Sequence, residues 1–185
     1  MKWTAAAAML SLACASAVVA ATHAGRDAIV EARQASMKEM AAAARTIAGM
    51  FDGKLAHDAA AFEAAAETIR ARTGPALIAE FPSATLGAPS GARLDIDRAR
   101  PEFEALARHM GTLARTLAAK AERAPPGITD DMRMGPGVVM GGGSLLGKRP
   151  AAAEADPAKL PAEHLLHLIL QDCSDCHSKF RQKAP

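Results

Sequence analysis

Cys173, Cys176 and His177 form a C-x-x-C-H run near the end of this 185-residue sequence, and these three side chains together suit one piece of chemistry. Two thiols at this spacing can add across the two vinyl groups of a haem, and the adjacent imidazole can then bind the iron. On a helix, offsets of three and four residues place all three along one stripe, facing one edge of a macrocycle. The same thiols could instead be a redox dithiol, half of a zinc site, or two buried thiols without function. Zinc would want a second ligand pair, and the one other cysteine, Cys14, lies in a segment expected to be removed. A thioredoxin-like pair opens a helix after a strand, whereas this run closes a chain that reads as helical throughout. The expected cofactor is therefore covalent haem c, one per chain, with His177 on the iron. A haem-free thiol–disulfide protein is the alternative, and it predicts two titratable thiols.

The elements that must position this run are read backwards from it. Pro161 opens a last helix through Leu165, Leu166, Leu168, Ile169 and Leu170 that ends near Lys183. His167 and His164, ten and thirteen residues before His177, fall about 80° and 140° off its direction and are expected at the bundle surface. Residues 124–160 are rich in Gly and Pro without a period and read as a long extended loop. Its run Gly141–Gly143 lacks the strand and the Gly-Lys-Ser/Thr of a phosphate cradle and is taken as linker. Val138–Met140 and Leu145–Leu146 are apolar enough to lie against the bundle or to cover something.

Three earlier helices are expected. Arg26 to about Met50 has strong helix composition, with Ile29, Ala32, Ser36, Met40 and Ala43 near one stripe. His57 to Arg72 presents Ala61, Phe62, Ala65, Ala66 and Ile69, and Gly74-Pro75 breaks it before a further turn at residues 76–80. Asp97 is a plausible N-cap for a third helix to about Arg123, carrying Phe103, Leu106, Ala107, Met110, Leu113, Ala114 and Leu117 at three/four spacing. Four helices joined by one short turn and two long connections predict an all-α, antiparallel four-helix bundle with the haem between facing helices.

Composition agrees. There is no Tyr, Trp3 is the lone Trp, and five Phe are scattered along the chain, so a bulky apolar cofactor would fill a core otherwise made of Ala, Leu and Met. Lys2 followed by an apolar run from Ala5 to Ala21 reads as a secretory signal peptide, residues 1–24, cut after Ala24 or nearby after Ala20. A lipoprotein at Cys14 and a retained membrane span are weaker readings. Residues 25–185 are then one exported domain, placed in the periplasm, where thioether haem attachment and an oxidising compartment go together. Its 21 basic residues against 20 acidic exclude the strong positive field that nucleic-acid binding needs.

Three stretches carry a family resemblance. Cys173-Ser174-Asp175-Cys176-His177-Ser178-Lys179-Phe180-Arg181 resembles the C-terminal C-x-x-C-H-x-x-aromatic-Arg signature of the cytochrome c′ family, the class II c-type cytochromes. Arg33-Gln34-Ala35-Ser36-Met37 resembles that family's first-helix pattern, Phe81-Pro82 its close of the second helix, and the resemblance spans about residues 26–123 and 161–183. It implies Arg33 near the haem edge, Met37 facing the distal side of the iron, and Arg181 near the imidazole or a propionate, its bland alternative being a surface arginine at a helix C-terminus. Met40, one turn off the pattern, is expected in the core. The 124–160 loop is longer and richer in glycine than the resemblance leads one to expect.

Met37 divides the functional readings. A thioether on the iron makes the haem six-coordinate and suits a one-electron carrier working with redox partner proteins. A Met37 that only packs over the haem leaves a five-coordinate iron, which the resemblance associates with binding nitric oxide or carbon monoxide. No Ser, His and carboxylate constellation suggests an enzyme. A homodimer is a further implication of the resemblance.

Overall fold

A computed structural model describes residues 3–135 and 156–182. The uninterrupted Ala-rich stretch folds as one helix, α1 (Trp3–Phe51), which ends where expected but has no break at residue 24. Its buried line runs Arg33, Ser36, Met40, Ala43, Ala44, Ile47, Met50 and Phe51. The expected stripe is thus corrected at its start: Ile29 is 38% exposed and Ala32 is exposed, while Arg33 takes the buried position.

Asp58 caps α2 (Ala59–Ala71), its Oδ1 accepting from the Ala61 amide at 2.8 Å, which sets the helix start two residues later than expected. Phe62, Ala65, Ala66 and Ile69 are its buried face. Gly74, at φ 65°, turns the chain into the short α3 (Pro75–Ala79). This turn lies hard against the next long helix: the Gly74 amide donates to the Ala107 carbonyl at 3.1 Å. A Cβ on Gly111 would come within 2.8 Å of the Gly74 Cα, so glycine is required there for the approach.

The connection from residue 82 carries a further short helix, α4 (Asp95–Arg98), before α5 (Arg100–Ala121). Asp97 is not the cap of the long helix. It lies inside α4, and its carboxylate accepts from Ser83 Oγ at 2.8 Å and Arg100 Nη2 at 2.5 Å. The chain breaks at Ala99 and restarts with Pro101 in the first turn, where a proline's missing amide costs nothing. Phe103, Ala107, Met110, Leu113, Ala114 and Leu117 are buried along α5 as their spacing predicts.

The last helix, α6 (Ala162–Phe180), follows Pro161 and stops three residues short of the expected end. A tertiary contact stops it: Arg181 pairs with Ala92 in an isolated antiparallel bridge. The Arg93 amide donates to the Phe180 carbonyl and the Gln182 amide to the Gly91 carbonyl, each at 2.8 Å.

α1 packs on α2 and α6, and α5 on α2 and α6, giving the four-helix bundle with α3 and α4 as short pieces in the connections. The five Phe, scattered in sequence, gather in space: Phe51 and Phe62 meet edge to face at one end, and Phe81, Phe103 and Phe180 form a chain at the other. Part of the expected loop is docked rather than extended. Met132 is buried, Arg133 Nη2 donates to the Phe51 carbonyl at 3.1 Å, and the Met134 amide donates to Glu163 at 2.7 Å. Val138–Met140, Gly141–Gly143 and Leu145–Leu146 lie outside the described residues. Among the described residues no helix is long and apolar enough to cross a membrane.

Candidate functional site

At the Phe81–Phe103–Phe180 end the bundle opens into a cleft of roughly 440 Å³. α6 supplies Cys176, His177 and Phe180 to its wall, with Arg181 just past the helix end. α1 supplies Arg33, Gln34, Met37, Lys38 and Ala41, and the connection between α3 and α5 supplies Phe81, Gly91 and Ala92. The site is thus built where α6 runs out against a loop, with α1 facing it.

The aromatic chain makes the cleft apolar. Phe81 and Phe103 lie 5.0 Å apart, Phe103 and Phe180 5.6 Å apart and perpendicular, a geometry that aromatic quadrupoles favour. All three are buried, so the rings exclude water from one flank while Gly91, Ala92 and Ala41 leave room.

Cys173 lies one turn deeper than Cys176 along α6. Its sulfur is 3.9 Å from the Met110 sulfur of α5, and it does not share the cleft wall with Cys176 and His177. Neither thiol is in a disulfide. Burial, joined by the negative charge of Asp172, pushes Cys173 up to about 11. Burial, then Cys173 and Asp172, push Cys176 to about the same value. Both are therefore neutral thiols at neutral pH. Asp172 is buried at the α5–α6 seam, 2.7 Å from His109 Nδ1.

His177 is exposed along its open side to the cleft, yet its pKa is lowered, first by the desolvation of its inner side and then by the Arg181 charge. A lowered imidazole pKa keeps the ring neutral, as iron ligation requires. Arg181 is itself exposed; its charge acts on the imidazole from the cleft rim.

Arg33 is only 4% exposed. Its Nη1 donates to the Glu80 carbonyl at 3.1 Å and Thr85 Oγ1 at 3.3 Å, and its Nη2 to the Thr85 carbonyl at 3.3 Å and Ser90 Oγ at 2.6 Å. The guanidinium also lies 4.4 Å from the Phe81 ring centre, where a cation and a ring face attract. Desolvation lowers its pKa, with Glu80 opposing. One turn on, Ser36 Oγ donates to Glu80 Oε1 at 2.5 Å. Arg33 thus lines the cleft while its hydrogen bonds hold the 80–90 segment. Met37 is half-buried and lines the cleft; Met40 is in the core as expected.

Gln34 and Lys38 are cleft residues that the sequence reading missed, although one stands beside Arg33 and the other beside Met37. His164 and His167 are half-buried, and burial together with the His167 charge lowers the His164 pKa. Neither lines the cleft. Among the described residues no group of three or more His, Cys, Asp or Glu could hold a metal ion by itself.

The Cys176 thiol with Cys173 one turn deeper on the same helix, a neutral imidazole, a thioether and aromatic walls fit a haem. The fold and site together define a haem-binding four-helix bundle of the c type. A family model described as Cytochrome C′ matches residues 28–135, more than half of the chain, and the chain belongs to that family. Its cofactor is haem c. The matched region stops before α6, so the C-x-x-C-H run lies beyond it and the bundle geometry is what joins the two.

Solved structures agree on the fold. Cytochrome c′ from Thermochromatium tepidum is 21% identical, with a TM-score of 0.57 over 84% of this chain and 95% of that one. Cytochrome c′ from Shewanella frigidimarina is 16% identical, with a TM-score of 0.58 over 85% and 97%. A cytochrome c′ described as having an unusual ligand-controlled dimer dissociation is 20% identical, with a TM-score of 0.57 over 85% and 97%. No curated protein matches the chain.

Proposed function

We propose that this chain is a one-electron carrier whose haem is linked through Cys173 and Cys176, with His177 as axial ligand and Met37 as the sixth. The observation that carries this reading is that Met37 of α1 and His177 of α6 line one cleft from two different helices. When bound, haem c supplies a single-electron couple at its iron, and a His/Met axial pair raises its potential.

The chain's own residues do the rest. The thiols anchor the group, and the Phe81, Phe103 and Phe180 rings keep water from one flank and lower the local dielectric. Burial and Arg181 keep the His177 ring neutral and available. Arg33 stiffens the 80–90 wall, and Gln34 and Lys38 stand where a polar haem edge would emerge. The partners are redox proteins that approach this open rim.

A second reading is a five-coordinate haem that binds nitric oxide or carbon monoxide, with Met37 only packing over the distal face. It is favoured by a fold neighbour described by ligand-controlled dimer dissociation, and a homodimer belongs with it. In both readings residues 1–24 are an export signal cut within the long α1, residues 25–185 are the working domain, and the location is the periplasm.

The visible spectrum of the ferrous protein with and without carbon monoxide tests the pair. Sharp low-spin bands unmoved by the gas are expected, with Met37→Leu converting the protein to a form that takes up the gas. A wild-type spectrum that is already high-spin and shifts with carbon monoxide would establish the second reading instead.

A further inference from the structure

One hydroxyl joins the two sides of the cleft. Ser90, 2% exposed, accepts through Oγ from Arg33 Nη2 at 2.6 Å and from the Ala92 amide at 3.1 Å. Arg33 is one turn before Met37 on α1. Ala92 is the residue that pairs with Arg181, and the Arg181 amide donates to the carbonyl of His177 at 3.2 Å. The bridge is closed on both sides by the Arg93 amide on Phe180 and the Gln182 amide on Gly91.

A path of hydrogen bonds joined through the backbone of residues 91–93 and 180–182 therefore runs from the helix carrying Met37, through one buried side-chain oxygen, to the backbone of His177. Its links are short, and its two side chains are buried, so water does not compete for them. The other contacts of Arg33, on Glu80 and Thr85, hold the guanidinium in place but do not reach the segment that pairs with α6.

We infer that Ser90 is a positioning residue that couples the distal face of the haem site to its axial histidine. The inference rests on the reading above, in which His177 is the axial ligand. The tether holds the end of α6 and would restrict movement of the His177 imidazole, which would hold the iron, when a ligand binds on the distal face. Releasing Ser90 frees the α6 end and lets a distal ligand bind more tightly. Coupling of this kind is reciprocal: a ligand that pulls on His177 must loosen the Ala92–Arg181 bridge by the same factor.

The test uses holoprotein in the Met37→Leu background, so that carbon monoxide always has a coordination position. Ser90→Ala is expected to raise the equilibrium affinity for carbon monoxide by about fivefold or more, and Ser90→Thr, which keeps the acceptor oxygen, to restore the parent affinity. Hydrogen exchange supplies a readout independent of any variant at position 90. The Arg93 and Gln182 amides should exchange faster when carbon monoxide is bound, by a similar factor.

A smaller change, a weakened affinity, or bridge amides indifferent to the gas would overturn the inference, even if Ser90→Ala lowers the melting temperature, because that outcome assigns Ser90 a local structural role. A purified protein with no haem spectrum would overturn the haem-site reading, and this inference with it; normal haem with unchanged affinity overturns the coupling alone.

Discussion

The two ends of this bundle use the same residue types to opposite effect. At the end where α1 closes, Phe51 and Phe62 meet edge to face at 5.9 Å, Ile47, Leu117 and Leu165 are fully buried, and the 128–134 segment is bonded across the top through Arg133 and Met134. A hollow of about 190 Å³ lies there beside Lys120, Arg123, Asp131 and Met132, with no thiol or imidazole in its lining. At the other end three Phe are equally buried, yet they surround a cleft more than twice that size. The difference lies in what the helices do there. α6 stops against the 91–93 segment instead of packing onward, and Gly91, Ala92 and Ala41 stand where larger side chains would fill the gap. Aromatic rings close a core when helices converge on them and line a cofactor site when helices part.

The largest effect on this contrast should come from the thiols. Replacing both Cys173 and Cys176 with Ala abolishes covalent haem, seen as loss of haem staining on a denaturing gel, while the closed end keeps its packing.

Phe62→Ala should do the reverse. Removing a ring that is 1% exposed costs about 3–5 kcal/mol in a denaturant titration, with the haem spectrum unchanged. If the spectrum moves, the two ends are energetically one unit and the contrast fails.

A smaller effect concerns pH in the haem-free chain. Folding holds the Cys173 and Cys176 thiols neutral up to about 11, whereas an unfolded chain ionises them from about 9. The folded state therefore keeps its full advantage below about pH 9 and loses it as pH rises through about 11. The loss is on the order of 2–3 kcal/mol for each thiol. Comparing urea midpoints at about pH 8 and about pH 11 for the parent and for the double Cys→Ala chain checks it: the Ala variant should lack this component.

Much of the architecture was legible. Three/four spacing marks the buried faces of α2 and α5, because a helix one face of which must meet a core has few other ways to place its apolar residues. The C-x-x-C-H run names its own chemistry, since few groups want two thiols and an imidazole at that spacing. Other features were not legible. Asp97 looks like a cap from sequence, but its partner Ser83 is fourteen residues away. Arg33 is expected near the haem edge from the resemblance, but its burial in hydrogen bonds to residues 80–90 has no local signal. The Phe residues look scattered and form two groups. In each case the deciding neighbour is distant in sequence, and local pattern carries no information about it.

The sequence by itself determined an all-helical chain with a c-type haem motif in its last helix, because helical periodicity and ligand spacing are properties of consecutive residues. Tertiary structure alone decided where α6 ends, that Cys176 shares the cleft wall with His177 while Cys173 lies against Met110, and that Arg33 and Ser90 tie α1 to the residue after Phe180. Those outcomes depend on which buried polar groups find partners once the helices are packed, and a buried donor must be satisfied by whatever the fold brings to it.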